Sequence, residues 1–300
     1  MRVLITGATG LVGSHIVKEC QEKGIAVNYL TTSKDKIVSE HNYKGFYWNP
    51  DSQEIDVSCF EEVDAIINLA GATISKRWTS SYKKEIIDSR VDSAALLFNT
   101  LKTSNFNITR FVSASAIGIY PSSLEKLYFE EDTPSDDSFL QEVVIKWEKA
   151  ANQFEALGIE VAKIRIGLVL AEEGGALEKM KEPVSYSVGA GLGSGKQWQS
   201  WIHINDLAKM FLYLIENDLS GVYNGVAPSP VTNNELIKEI AKQLNKPLWM
   251  PNVPKLVLKA GLGEMSTIVL SSQLVSSNKI ENAGFEFQYR NLTKSLQDLL

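Results

Sequence analysis

Thr6-Gly7-Ala8-Thr9-Gly10-Leu11-Val12-Gly13 stands directly behind the apolar run Val3-Leu4-Ile5 and ahead of a stretch with helical period. Three glycines at this spacing between a strand and a helix have separate tasks. One turns the chain sharply, one lets backbone approach a diphosphate, and one brings helix and strand into contact. The helix N-terminus then offers amide donors and positive partial charge to an anion. The stretch predicts a dinucleotide-binding turn lined by Gly7, Thr9, Gly10, Leu11, Val12 and Gly13.

Outward from this turn, short β-rich runs alternate with longer segments of helical period, the pattern of βαβ units. Strands are expected at Val3 to Thr6, Val27 to Thr31, Asp64 to Leu69, Arg110 to Ser113 and Val161 to Ile166. Ile87, Val91, Ala94, Phe98 and Leu101 share one helix face behind a cap at Thr79 or Ser80. Leu140, Val144, Trp147, Ala151 and Phe154 do the same in a helix from about Ser138, and Gly158 is placed to end it. The six glycines between Gly174 and Gly195 read as a flexible or ligand-wrapping loop. Asn233-Asn234 reads as the cap of a helix through Leu244, and Phe285 to Tyr289 as a late strand before a final helix. The expected fold is α/β: a Rossmann-type, doubly wound parallel sheet over residues 1–245 and a small C-terminal α+β subdomain over 246–300.

A ribose pocket for NAD usually ends the second strand with an acidic residue. Here the chain reads Leu30-Thr31-Thr32-Ser33-Lys34. The hydroxyls of Thr31, Thr32 and Ser33 and the Lys34 ammonium suit a 2′-phosphate, which favours NADP(H), with NAD(H) as the alternative. The formal charge of -6 and the sequence pI of about 5.3 argue against nucleic acid and anionic membrane as partners. Cys20 and Cys59 have no metal-ligand spacing, so no metal is expected. The start runs straight into a strand without the pattern of a signal peptide, and the expected location is cytoplasmic.

Further segments carry a family resemblance: DAIINLAGA at Asp64 to Ala72, KRW at Lys76 to Trp78, DSR at Asp88 to Arg90, and SASAIGIY at Ser113 to Tyr120. KWE at Lys146 to Glu148, RIGLVL at Arg165 to Leu170, and GLGSGKQWQSWIHINDLA at Gly191 to Ala208 complete them. With the glycine turn, they make nearly the whole chain resemble an atypical extended short-chain dehydrogenase/reductase, in the branch related to nucleotide-sugar epimerases. The resemblance implies cofactor contacts from Leu69, Ala70, Gly71, Arg90, Ser113, Gly167, Leu168 and Val169. His203 and Asp206 resemble an HxxD element, with substrate contact or loop anchoring as its two roles. Arg77, Trp78 and Arg90 are candidates for an anionic substrate group, or for surface and helix packing. Trp198 and Trp201 read as packing anchors of their loop.

That superfamily exchanges a proton through a Tyr followed four residues later by a Lys, one helical turn apart. None of the ten tyrosines has a Lys at that offset. Alignment through Lys146-Trp147-Glu148 puts Leu140 and Val144 there instead. Ser115 and Tyr120 are the candidate replacements, Ser115 orienting an oxygen and Tyr120 or a water moving the proton. Two functions follow: an NADP-dependent oxidoreductase or nucleotide-sugar epimerase-like enzyme of atypical mechanism on a small polar substrate, or a non-catalytic dinucleotide sensor, cell-division-inhibitor-like, acting on a protein partner. Oligomeric state is not legible in the sequence.

Overall fold

The computed structural model describes residues 1–132, 134 and 137–300. Seven parallel strands form its centre: β1 Arg2–Thr6, β2 Ala26–Thr31, β3 Tyr43–Asn49, β4 Ala65–Asn68, β5 Arg110–Ala116, β6 Glu160–Ile166 and β7 Gly221–Gly225. Their spatial order is β7-β6-β5-β4-β1-β2-β3, and the short antiparallel pieces Ser39–Glu40 and Glu54–Ile55 on β3 bring the sheet to nine strands. The chain builds outward from β1 through β3, then restarts at β4 on the other side of β1. That reversal opens a crevice beyond the carboxyl ends of β1 and β4, the usual ligand position in such sheets.

Both faces of the sheet are covered, so the strands are apolar on both sides. Val3 and Ile5 point to the layer of α1 (Leu11–Glu22) and α5 (Ile204–Glu216), where Ile16, Cys20, Leu207 and Phe211 are buried. Leu4, Ile66 and Phe111 point to the layer of α2 (Ser80–Lys102) and α3 (Phe139–Asn152). Thr79 caps α2 by accepting from Tyr82 N, and Ser138 caps α3 by accepting from Gln141 N. A 3-10 turn follows α3, and Gly158 closes it at φ 76°.

Several sequence expectations change. The inner line of α2 is Ile86, Arg90, Ala94, Leu97 and Leu101, while Ile87, Val91 and Phe98 are only half-buried. The helix packs on the sheet and, at its flank, against α3, which rotates its buried face by one residue. Gly174 to Gly195 is not one loop, because Gly175–Ser185 forms a helix, α4. The rest is stapled: Leu192 N donates to Asn233 Oδ1, Asn234 N donates to the Gly195 carbonyl, and a Cβ at Gly195 would lie 2.0 Å from Asn234 Oδ1. Finally, α6 (Asn233–Gln243) is capped one residue earlier than expected, by a Thr232/Glu235 capping box.

Residues 246–300 distribute their apolar side chains among several cores. Ile280, Phe285 and Phe287 join the α1/α5 layer, Leu292, Leu296 and Leu299 pack with Leu177 of α4 and Leu236 of α6, and Met265 and Ile268 lie against Trp78. The strand expected at Phe285 to Tyr289 is a segment with no strand pairing among the described residues, and the Asp206 carboxylate takes the amides of Gln288 and Tyr289, each at 2.9 Å. No helix among the described residues is long and apolar enough to cross a membrane.

Candidate functional site

The glycine turn sits at the crevice mouth. Gly7 has φ 72°, and Gly10 N donates to its carbonyl at 3.0 Å. A Cβ at Gly13 would lie 2.2 Å from the Gly7 carbonyl oxygen and 2.7 Å from Ala8 Cα, so only glycine lets α1 start this close to the turn. Gly10 caps α1 without a side chain, which leaves the first-turn amides at Leu11 and Val12 with no side-chain acceptor. Thr9 and Gly10 are exposed. This is a cradle of free donors and bare backbone, matched to a diphosphate.

A row of polar side chains fixes the opposite wall. Thr6, Asn68 and Ser113 are in register across β1, β4 and β5, and all are buried. Thr6 Oγ1 donates to Asn68 Oδ1 at 2.9 Å and accepts from the amides of Leu69 and Ala70 at 2.9 and 3.0 Å, while Asn68 Nδ2 donates to Ser113 Oγ at 3.3 Å. The row sets the path of Leu69, Ala70 and Gly71 beside the glycine turn, where a Cβ on Gly7 would touch Leu69 at 3.3 Å. At the end of β2, Thr31 Oγ1 accepts from Ser33 N at 3.2 Å, leaving Thr32 and Lys34 exposed. The Lys34 ammonium lies 4.7 Å from the centre of the Tyr47 ring. Gly167 follows β6, and Leu168 to Leu170 pair in parallel with Trp201 to His203.

Ser115 and Tyr120 are brought together, in a buried network that sequence reasoning did not foresee. Arg165 is its hub: Nε donates to Glu148 Oε1 at 2.9 Å, Nη2 to Glu148 Oε2 at 3.1 Å, and Nη1 to Tyr120 Oη at 2.9 Å. Ser115 Oγ donates to Glu148 Oε1 at 2.6 Å, and Tyr120 Oη to Asn224 Oδ1 at 2.7 Å. Asn224 N in turn donates to Glu130 Oε1 at 2.8 Å. Burial pushes the Tyr120 phenol up to about 12, against the pull of Arg165. Burial alone would lower the Arg165 guanidinium, but Glu148 outweighs it and holds the group above its ordinary value. Both hydroxyls expected to act on substrate are 2% exposed and already hydrogen-bonded, which opposes a proton-transfer role. Glu148 and Arg165 lay inside quoted motifs, yet nothing in their spacing pairs them.

His203 and Asp206 anchor the C-terminal segment. His203 caps α5 by accepting from Asn205 N at Nδ1, stacks on Tyr289 at 3.6 Å, and has Nε2 obliquely placed 3.2 Å from Asp298 Oδ2. Trp201 Nε1 donates to the Ser229 carbonyl and Trp198 Nε1 to that of Leu124, so both pin their loop. Trp78 Nε1 donates to the Ile74 carbonyl, and Arg77 is exposed. No group of three or more His, Cys, Asp or Glu suited to a metal occurs among the described residues.

A family model described as the NAD dependent epimerase/dehydratase family matches residues 3–141, and one for a domain of unknown function, DUF1731, matches residues 253–299. An epimerase family protein of Staphylococcus epidermidis is 41% identical over 302 residues, covering 100% of this chain and 99% of its own. The crystal structure of human epimerase family protein SDR39U1 (isoform 2) with NADPH superposes with a TM-score of 0.86 at 28% identity, covering 100% of this chain and 99% of that one. The nucleoside-diphosphate sugar epimerase of Corynebacterium glutamicum gives 0.79 at 29% identity, over 100% of this chain and 58% of that one.

Proposed function

The chain belongs to the NAD dependent epimerase/dehydratase family, and from that premise we propose that it is an NADP-dependent oxidoreductase or nucleotide-sugar epimerase-like enzyme that works without the Tyr/Lys pair. The observation that carries the proposal is the uncapped start of α1 behind Gly7, Gly10 and Gly13 at the strand-order reversal. Lys34, Thr32 and Ser33 at the end of β2 support a 2′-phosphate, as does the NADPH in the human relative.

Bound there, a nicotinamide supplies hydride donor or acceptor chemistry. The chain's part is to hold the diphosphate on the α1 amides, to fix the crevice wall through Thr6, Asn68 and Ser113, and to keep the β5 and β6 ends rigid through Ser115, Glu148, Arg165 and Tyr120. Leu140 and Val144 close the position of the missing pair with apolar surface, so proton exchange runs through water or a group on the substrate. The same surface favours a second reading, a sensor that binds the dinucleotide without turnover.

Calorimetric titration with NADPH, NADP⁺, NADH and NAD⁺ tests the proposal, followed by a carbonyl and nucleotide-sugar panel on the loaded protein. Preferential NADPH or NADP⁺ binding with turnover on the panel is the expected result. Binding without turnover selects the sensor, and no binding of any of the four overturns both.

A further inference from the structure

A surface helix normally turns its apolar stripe inward, and α7 (Lys255–Leu262) does the reverse. None of its residues is buried. Leu258 and Leu262, one turn apart, are half-buried and form its inner stripe, while Leu256 and Val257 are 79% and 57% exposed. At about 100° per residue, Leu256, Ala260 and Val257 make one outward apolar arc, and Lys255 and Lys259 flank it on one side. The chain leading into the helix adds to that arc. Leu248 and Trp249 are exposed, the indole residue by 68%, the most of the six tryptophans. Val253 is paired in parallel with the loop at Leu192: Gly193 N donates to the Val253 carbonyl at 2.9 Å, and Val253 N to that of Gly191 at 2.8 Å. The stretch from Tyr186, itself 75% exposed, therefore runs into this pairing from the same side as Trp249. So many large apolar side chains gathered in the open mark an interaction surface.

The charge around the arc is opposite in sign to that of the molecule. Residues 246–262 hold Lys246, Lys255 and Lys259 and no acidic residue, within a chain of formal charge -6. All three are exposed, and none has a carboxylate partner among the described residues. The next acidic side chain along the sequence, Glu264, is taken by Lys83. On α4, Lys179 and Lys181 are matched by Glu178 and Glu182, so that helix adds no net charge. The overall charge that counts against an anionic surface is an average over the whole molecule. Attraction to such a surface decays within a Debye length, about 8 to 10 Å, so the face that touches decides it. A second copy of the chain, paired about a two-fold axis, would bring the same lysines together and repel. A lipid interface instead accepts protruding aromatic and aliphatic side chains without a preformed pocket, while lysine stems reach along them to the headgroups.

We propose that α7 and the Leu248–Trp249 approach form a docking surface for an anionic lipid bilayer. Trp249, Leu256 and Val257 enter the headgroup boundary, and Lys246, Lys255 and Lys259 hold anionic headgroups at its rim. The attachment lies in the plane of the interface, as an eight-residue helix requires.

Flotation of the full chain with vesicles tests this, using phosphatidylcholine alone and equal parts of phosphatidylcholine and phosphatidylglycerol, at low and high salt. The expected result is binding to the mixed vesicles at least tenfold tighter than to phosphatidylcholine, weakened by salt, with a blue shift of tryptophan emission that Trp249→Phe removes. The double variant Lys255→Gln/Lys259→Gln should bind the mixed vesicles at least tenfold more weakly, and Trp249→Ser/Leu256→Ser should lose binding. Each substituted side chain is exposed, so an unchanged melting temperature verifies that the variants fold. No binding to the mixed vesicles at low salt overturns the proposal, as does equal binding by wild type and both double variants. Two other occupants have their own signatures, and either one without vesicle binding also overturns it: a concentration-dependent dimer that Leu256→Ser dissolves assigns the face to a second copy, and tight binding of polyglutamate assigns it to an acidic protein.

Discussion

Ser115 Oγ and Arg165 Nε converge on one oxygen, Glu148 Oε1, at 2.6 and 2.9 Å. The end of β5 is thus tied to β6 through a carboxylate of α3. Removing Arg165 strands a part-buried carboxylate, whereas removing Ser115 takes away one donor. Arg165→Met should destabilise the protein by about 3 to 5 kcal/mol and Ser115→Ala by about 1 to 3 kcal/mol, measured by urea denaturation. If Ser115→Ala instead abolishes turnover with stability intact, the hydroxyl acts on substrate directly.

The glycine turn separates folding from binding. At Gly13 an added methyl collides with backbone that cannot yield, so Gly13→Ala should destabilise by at least about 2 kcal/mol. At Gly10 the methyl meets only the Gly7 carbonyl, at 3.3 Å. Gly10→Ala should change stability by less than about 1 kcal/mol yet weaken NADPH binding, because the methyl stands at the exposed mouth of the cradle. Equal losses of stability in the two variants, seen by thermal melting, would contradict this account.

The features legible in the sequence are local ones. The turn, the caps at Thr79 and Ser138 and the stop at Gly158 each need only a few neighbouring residues. Alternation at Phe285, Phe287 and Tyr289 correctly marks the buried side chains, but a strand also needs a partner strand, and here Asp206, some eighty residues earlier, takes two of the amides. Arg90 was legible as a candidate anion binder, while its place on the inner line of α2 was not, since charge is expected outside. Glu148 and Arg165 meet only because α3 packs on β6. No periodicity in either element encodes that meeting.

Cofactor preference should turn on Lys34. The ammonium rests over Tyr47 with no carboxylate partner among the described residues, free to swing to a 2′-phosphate. Lys34→Ala should weaken NADPH binding by about tenfold, the scale of one hydrogen bond to a charged group, and leave NADH nearly unchanged. The NADPH loss should shrink as salt rises, because the site is exposed. Calorimetry at two ionic strengths checks both statements, and equal losses for the two dinucleotides would move the phosphate contact elsewhere.

His203 gives the fold an acid-side weakness. Burial pulls its imidazole down to about 4, against the Asp298 carboxylate, with His15 and Lys209 adding in the same direction as burial. Its folded value lies below the ordinary 6.5, so between those limits the unfolded chain binds more protons and stability rises with pH. The contribution is whole above about 6.5 and is lost as pH falls toward 4, at up to about 1.4 kcal/mol per pH unit. Asp206 and Glu130, both raised by burial, slope the other way from the carboxylate range upward, so wild type alone mixes opposing trends. His203→Asn keeps a side chain able to cap α5 and removes the titration. The gap in melting temperature between wild type and this variant should narrow or reverse as pH drops from 7 to 4. Parallel curves over that range would mean that His203 takes up its proton alike in the folded and unfolded chain, Asp298 offsetting the effect of burial.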